Sequence, residues 1–199
     1  MKLDWENYRT TFPDRYLRSG FFDQEVKAAT QVGHSMTILD IGGGEGTVAI
    51  RDNVRCNKEL KVYLLDPHVK APHWMAGNVS METDIHFDLG VARGSINYLT
   101  KPEIKKLPSL CTHLMANTFK NPPGTEWVSR AAENTFRKPL IERYRLREFK
   151  QARVEHELIL EDGQKISHSF FYYTVEDFKE LWPGVKIVEY GKNSIILTV

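Results

Sequence analysis

A chain of 199 residues, 41% hydrophobic and 27% charged, is long enough for one full core and too apolar to stay disordered. A formal net charge of +1 leaves no bulk basic excess to drive attachment to nucleic acid or to an anionic membrane, so a polyanion would need a local patch. Two cysteines, Cys56 and Cys111, are too few for a disulfide framework or a zinc site and read as reduced thiols, with no metal expected.

The start Met1-Lys2-Leu3-Asp4-Trp5-Glu6 has neither the basic region nor the apolar run of a signal peptide. No stretch approaches the roughly 18 apolar residues of a membrane span. The expectation is a cytoplasmic protein, with 1–199 forming one domain. Internal repeats and low-complexity segments are absent, so the organisation rests on alternating periodic elements.

Taken in chain order, Tyr8, Arg9, Arg15, Tyr16 and Arg18 precede a helix over 21–32, where Phe22, Val26, Ala29 and Val32 recur at helical spacing and Gly33 stops the pattern. The apolar run 36–41 reads as a buried parallel strand ending in a glycine cluster, followed by a helix over 47–54 and a second strand over 60–66. A strand over 87–92, a helix over 102–110 with Pro near its first turn, and a strand over 112–117 complete a mostly parallel α/β sheet. The stretch 137–153, with Arg137, Lys138, Arg143, Arg145, Arg147, Lys150 and Arg153 among Glu142 and Glu148, reads as a mixed-charge helix. Strands over 154–160 and 164–173 flank Glu161-Asp162-Gly163 as a hairpin. Thr174 caps a helix through Leu181, and Gly191-Lys192-Asn193 joins closing strands over 185–190 and 194–199, the last antiparallel to the sheet.

The segment carrying most information is Ile38-Leu39-Asp40-Ile41-Gly42-Gly43-Gly44-Glu45-Gly46-Thr47. Glycines between a strand and a helix allow a sharp turn and let a ligand approach free N–H groups at the positive end of the helix dipole. The third spaced glycine comes one residue too early for a dinucleotide fingerprint, and no G-x-x-x-x-G-K-[ST] is present. An acid at the end of the next strand, Asp66, followed by Pro67, can accept hydrogen bonds from both hydroxyls of a ribose.

This pair of motifs resembles class I, Rossmann-like methyltransferases that use S-adenosylmethionine, in which the first strand ends in Asp-x-Gly-x-Gly-x-Gly. The resemblance implies a three-layer sheet and a cofactor site built from Asp40, Gly42, Gly43, Gly44, Glu45, Gly46, Asp66 and Pro67, with S-adenosylhomocysteine as product. Gly77-Asn78-Val79 stands where such enzymes have Gly-Asp-Ala, so Asn78 and Val79 would meet the adenine, although no clear helix separates Asp66 from Gly77. Residues 87–99 resemble the fourth strand and its loop; Arg93 and Gly94 would approach the methionine end, while Asn97 and Tyr98 face the reacting methyl, within a polar cluster that includes Ser95.

Asn121-Pro122-Pro123 is similar to the Asn-Pro-Pro-aromatic signature of adenine-amine methyltransferases, but it follows the fifth strand and Gly124 replaces the aromatic, so it reads as a stiff lead into a loop. The resemblance makes 124–173 an inserted helix and hairpin over the acceptor site and 1–33 a helical lid carrying Tyr16. Alternation along the hairpin puts His168, Phe170 and Tyr172 on one face, open to line a pocket or to fill a core. His168 is the candidate general base and Tyr98 an orienting group, with Asn97, Tyr98, His168, Tyr172 and Tyr16 as acceptor-side residues. The expected reaction is methyl transfer to an O or N acceptor, a small molecule, by direct displacement. An RNA acceptor held by 137–153, and a non-catalytic S-adenosylmethionine-binding protein, stay open, as do monomer and homodimer.

Overall fold

The computed structural model describes Val26 and residues 35–44, 48–56, 58–120, 127–130, 141–148, 153–159, 163, 165–190 and 194–199. These residues group into two compact units, one within 121–174 and the other within 18–120 and 175–199.

The larger unit is built on a seven-stranded sheet. Its strands are β1 (Met36–Ile41), β2 (Leu60–Leu65), β3 (Gly77–Asn78), β4 (Phe87–Arg93), β5 (Cys111–Phe119), β10 (Lys186–Tyr190) and β11 (Ser194–Thr198). They lie in the order β10-β11-β5-β4-β1-β2-β3. β1 runs parallel to β2 and β4, and β4 to β5, whereas β11 is antiparallel to both β5 and β10. The expected mostly parallel sheet with an antiparallel closing strand is therefore present.

Helix α1 (Val48–Cys56) links β1 to β2, α2 (Lys101–Leu110) links β4 to β5, and α3 (Val175–Leu181) precedes β10. The step from β1 to β2 moves one way across the sheet and the step from β4 to β5 the other. Right-handed crossovers then put α1 and α2 on opposite faces. Beneath α1, Ile50 packs in a buried cluster with Ile38, Val62, Leu64, Leu89, Val91 and the helical Val26, the described member of the expected 21–32 helix. α2 buries Ile104, Leu107 and Leu110, a single apolar stripe.

α2 starts where Thr100 donates its N–H (2.7 Å) and hydroxyl (2.6 Å) to the Glu103 carboxylate. It also contains Pro108, which has no N–H for the Ile104 carbonyl one turn back. That carbonyl accepts instead from the Trp182 indole N–H at 2.7 Å, and the Trp182 ring packs tilted against Phe178 of α3, 5.3 Å between centroids. A proline defect in one helix is thus filled by a side chain just beyond the end of another.

The smaller unit is a four-stranded antiparallel sheet of β6 (Trp127–Arg130), β7 (Ile141–Glu148), β8 (Arg153–Ile159) and β9 (Lys165–Phe171), in that order. The hairpin around Glu161-Asp162-Gly163 is present as β8 and β9. The mixed-charge helix expected over 137–153 is not: Ile141–Glu148 and the residues from Arg153 are strands. Arg143, Arg145 and Arg147 alternate with Tyr144 and Leu146, a period of two that outweighs helix-favouring charges once neighbouring strands supply hydrogen bonds. The ladder then sets Arg143 opposite Glu157 and Arg145 opposite Glu155.

Candidate functional site

Strand order reverses between β1 and β4, because β1 is followed outward by β2 and β3 and β4 by β5. In open α/β sheets the crevice at the carboxyl ends beside such a switch point is where ligands bind. The glycine turn after β1 and the Gly94-Ser95 turn after β4 flank that crevice.

Gly42 and Gly44 have φ of +64° and +61°, left-handed values that favour glycine. A Cβ on Gly42 would lie 2.5 Å from the Ser95 Cβ, and one on Gly43 would overlap the Asp40 carboxylate. All three glycines are therefore required by conformation or by close approach. Asp40 itself is fully buried, between Leu64 of β2 and Val91 of β4 in the ladder.

The turn is tied on both sides. The Gly42 N–H donates to the Leu65 carbonyl at 2.8 Å, which fixes it to the end of β2. The buried Ser95 hydroxyl donates to the Ile41 carbonyl, which fixes it to the loop after β4. That loop is held in turn by β5: the Gly94 N–H donates to Asn117 Oδ1 at 2.6 Å, and the Thr118 hydroxyl donates to Asn97 Oδ1 at 2.9 Å. Anchoring by neighbouring strands keeps the backbone preorganised without a ligand.

Asp66 immediately follows β2 and is half-buried, but part of its hydrogen-bonding capacity is already used. Its Oδ1 accepts from the N–H groups of His68 (2.8 Å) and Val69 (3.2 Å), so the carboxylate shapes its own turn while Oδ2 supplies further acceptor sites. Pro67 is exposed within this turn. Asn78 is also engaged: Oδ1 accepts from the Ala71 N–H at 2.7 Å, and Nδ2 donates to the Val69 carbonyl at 2.8 Å. Val79 N–H donates to the Leu64 carbonyl, continuing the register of the short strand β3.

Among the other sequence candidates, Arg93 is half-buried and pairs with Asn117 in the ladder, Gly94 adopts φ +66°, Asn97 is buried and Tyr98 is 38% exposed. Asn97 and Tyr98 fall on a 3-10 turn, Ile96–Tyr98. Glu45, Gly46 and Tyr16 lie outside the described residues. In the smaller unit, the backbone of His168 pairs with that of His156 across β9 and β8, and Tyr172 is buried alongside Phe170 and Tyr173. Sequence reading missed Asn117 and Thr118. Both are polar residues at the carboxyl end of β5.

Among the described residues no group of His, Cys, Asp or Glu is arranged to hold a metal ion, and no helix is long and apolar enough to cross a membrane.

No protein-family model matches this chain, and no curated protein matches it in sequence. Solved structures do. The sugar N-methyltransferase KedS8 from Streptoalloteichus sp ATCC 53650 is similar over 96% of this chain and 91% of its own, with a TM-score of 0.58 and 14% identity. DesVI from Streptomyces venezuelae is similar over 99% of both chains, with a TM-score of 0.59 and 13% identity. The sheet order, the antiparallel closing strand and these likenesses agree: the chain has the Rossmann-like α/β fold of the class I S-adenosylmethionine-dependent methyltransferases that its strand-end motifs resemble.

Proposed function

We propose that this protein transfers a methyl group from S-adenosylmethionine to an oxygen or nitrogen of a small-molecule acceptor. The observation that carries the reading is the glycine turn at the switch point, where Cβ atoms on Gly42 and Gly43 would collide with Ser95 and Asp40. Such a bare, doubly anchored backbone next to a carboxylate on the adjoining strand suits an adenosyl amino acid. Asp66 would hold the ribose, and Gly42, Gly43 and Gly44 the amino-acid portion, with Arg93 and Gly94 nearer the methionine end.

When bound, S-adenosylmethionine supplies an electrophilic methyl on a sulfonium. The protein has to align the acceptor lone pair with that methyl and exclude water, and direct displacement needs no covalent enzyme nucleophile. Tyr98, exposed beside the crevice, is assigned the orienting role. His168 is assigned the acceptor's proton, with Tyr172 and Tyr16 as acceptor-side residues. His168→Ala should then lower turnover most below the pH at which the acceptor deprotonates unaided; turnover equal to wild type at every pH would remove the base assignment.

A small acceptor is supported by KedS8, a sugar N-methyltransferase by name. An RNA acceptor is less favoured, because the formal net charge is only +1 and the ladder register sets Glu157 and Glu155 opposite Arg143 and Arg145 of the basic stretch. One domain spanning 1–199 and a cytoplasmic location belong to the same reading. The test is calorimetric titration with S-adenosylmethionine and S-adenosylhomocysteine, followed by an acceptor screen with methyl-labelled donor. Binding of both with label appearing on a small molecule is the expected result. Binding without transfer to any acceptor would make the protein a sensor or carrier, and no binding would overturn the reading.

A further inference from the structure

We infer that Asn78 is a positioning residue for Asp66, and that it does its work by holding the segment after β2 in shape rather than by touching the adenine. The inference rests on the ribose role proposed for Asp66 and departs from the adenine contact that the Gly77-Asn78-Val79 resemblance implies.

Residues 66–76 run from β2 to β3 with no helix between them. A connection of that kind lacks the repetitive backbone hydrogen bonds of a helix, so its N–H and C=O groups need other partners to hold one conformation. Asn78 supplies them. Its Oδ1 accepts from Ala71 N–H at 2.7 Å, its Nδ2 donates to Val69 C=O at 2.8 Å, and the same nitrogen lies 3.5 Å from the Asp66 carbonyl. The orientation of the amide is fixed by these partners, since an N–H must meet the oxygen and a carbonyl must meet the nitrogen.

The consequence reaches Asp66 directly. Val69 N–H and His68 N–H donate to Asp66 Oδ1, so the peptide groups that Asn78 grips are continuous with those that orient the carboxylate. Asn78 and Asp66 form one closed circuit around 66–71. An acid at position 78 could accept from Ala71 N–H but could not donate to Val69 C=O, and its charge would face two carbonyl oxygens. Asparagine, with one acceptor and two donors, is the residue this circuit needs.

The experiment uses the full chain, its Asn78→Ala and Asn78→Asp variants, and two probes: S-adenosylhomocysteine and S-inosylhomocysteine, which carries an oxygen in place of the adenine amine. A positioning role lowers affinity for both probes by the same factor, roughly three- to tenfold, in both variants. In the ligand-free protein it also speeds amide hydrogen exchange at His68 and Val69. A direct adenine contact would instead weaken only S-adenosylhomocysteine, would be preserved in Asn78→Asp, and would leave the exchange rates unchanged; that pattern overturns the inference. If wild type binds neither probe, the cofactor reading fails, while faster exchange in the variants still supports the clamp and unchanged exchange refutes it.

Discussion

Replacing Trp182 by Phe should destabilise the protein through a helix that Trp182 does not belong to. The indole N–H is the donor to the Ile104 carbonyl, at 2.7 Å, because Pro108 cannot be. Trp182 is 1% exposed and Ile104 fully buried, so water cannot substitute. Leaving a buried carbonyl without a partner costs about 1–3 kcal/mol, to which the smaller ring adds lost packing against Phe178. A cycle with Pro108→Ala isolates the hydrogen-bond part. Alanine restores an N–H one turn after Ile104, so Trp182→Phe should cost less in the Pro108→Ala background, by about 1 kcal/mol or more. Urea unfolding of the four proteins, followed by far-UV circular dichroism, measures the difference. Equal losses in the two backgrounds, within about 0.3 kcal/mol, would refute the claim that the indole replaces the missing helical donor.

Three further outcomes follow from particular contacts. Gly43→Ala drives a methyl into the buried Asp40 carboxylate, so it should weaken S-adenosylhomocysteine at least about tenfold in calorimetry and cost about 1–3 kcal/mol of stability; wild-type affinity would contradict the geometry of the turn. Asp88 accepts from the Thr37 N–H (2.7 Å) and hydroxyl (2.8 Å), and these bonds hold its carboxyl below the usual range. Its folded-state pKa being depressed, the stabilisation is present above the unfolded value of about 3.9 and is lost as pH falls through the folded value. The stability gap between wild type and Asp88→Asn should therefore close in acid, and a gap constant from neutral pH to about pH 2 would contradict the bond. Burial pushes the Cys111 thiol up to about 12, so iodoacetamide at neutral pH should modify it only after unfolding, as peptide mass spectrometry would show; labelling of the native protein would contradict its burial.

The parts of the fold legible in the sequence are those whose signal is local. Met36–Ile41 and Leu60–Leu65 are apolar runs ending at residues with a task, and glycine-bearing turns announced both hairpins. β7 was misread because charge alternation along Arg143, Arg145 and Arg147 suits a strand only when β6 and β8 are there to pair with it. At the candidate site, the glycines and Asp66 could be read directly, since their chemistry is tied to residue type. The locks on them could not: Ser95 reaches Ile41, and Asn117 reaches Gly94, across strand neighbours that only the sheet order defines. Asn78 matched a motif position yet spends its side chain on the loop before it, a use that depends on how 66–71 folds back. Trp182 and Ile104 are likewise far apart in the chain, so the donor that stands in for the N–H Pro108 lacks is visible only in the fold.

The central claim is that the crevice between the turns after β1 and β4 accepts an adenosyl amino acid. A crystal structure determined with S-adenosylhomocysteine tests it most directly: the amino-acid portion should lie against the backbone of Gly42, Gly43 and Gly44, and the ribose hydroxyls should meet the Asp66 carboxylate. A crevice left empty at saturating ligand, or one that takes up a nicotinamide dinucleotide instead, would contradict it.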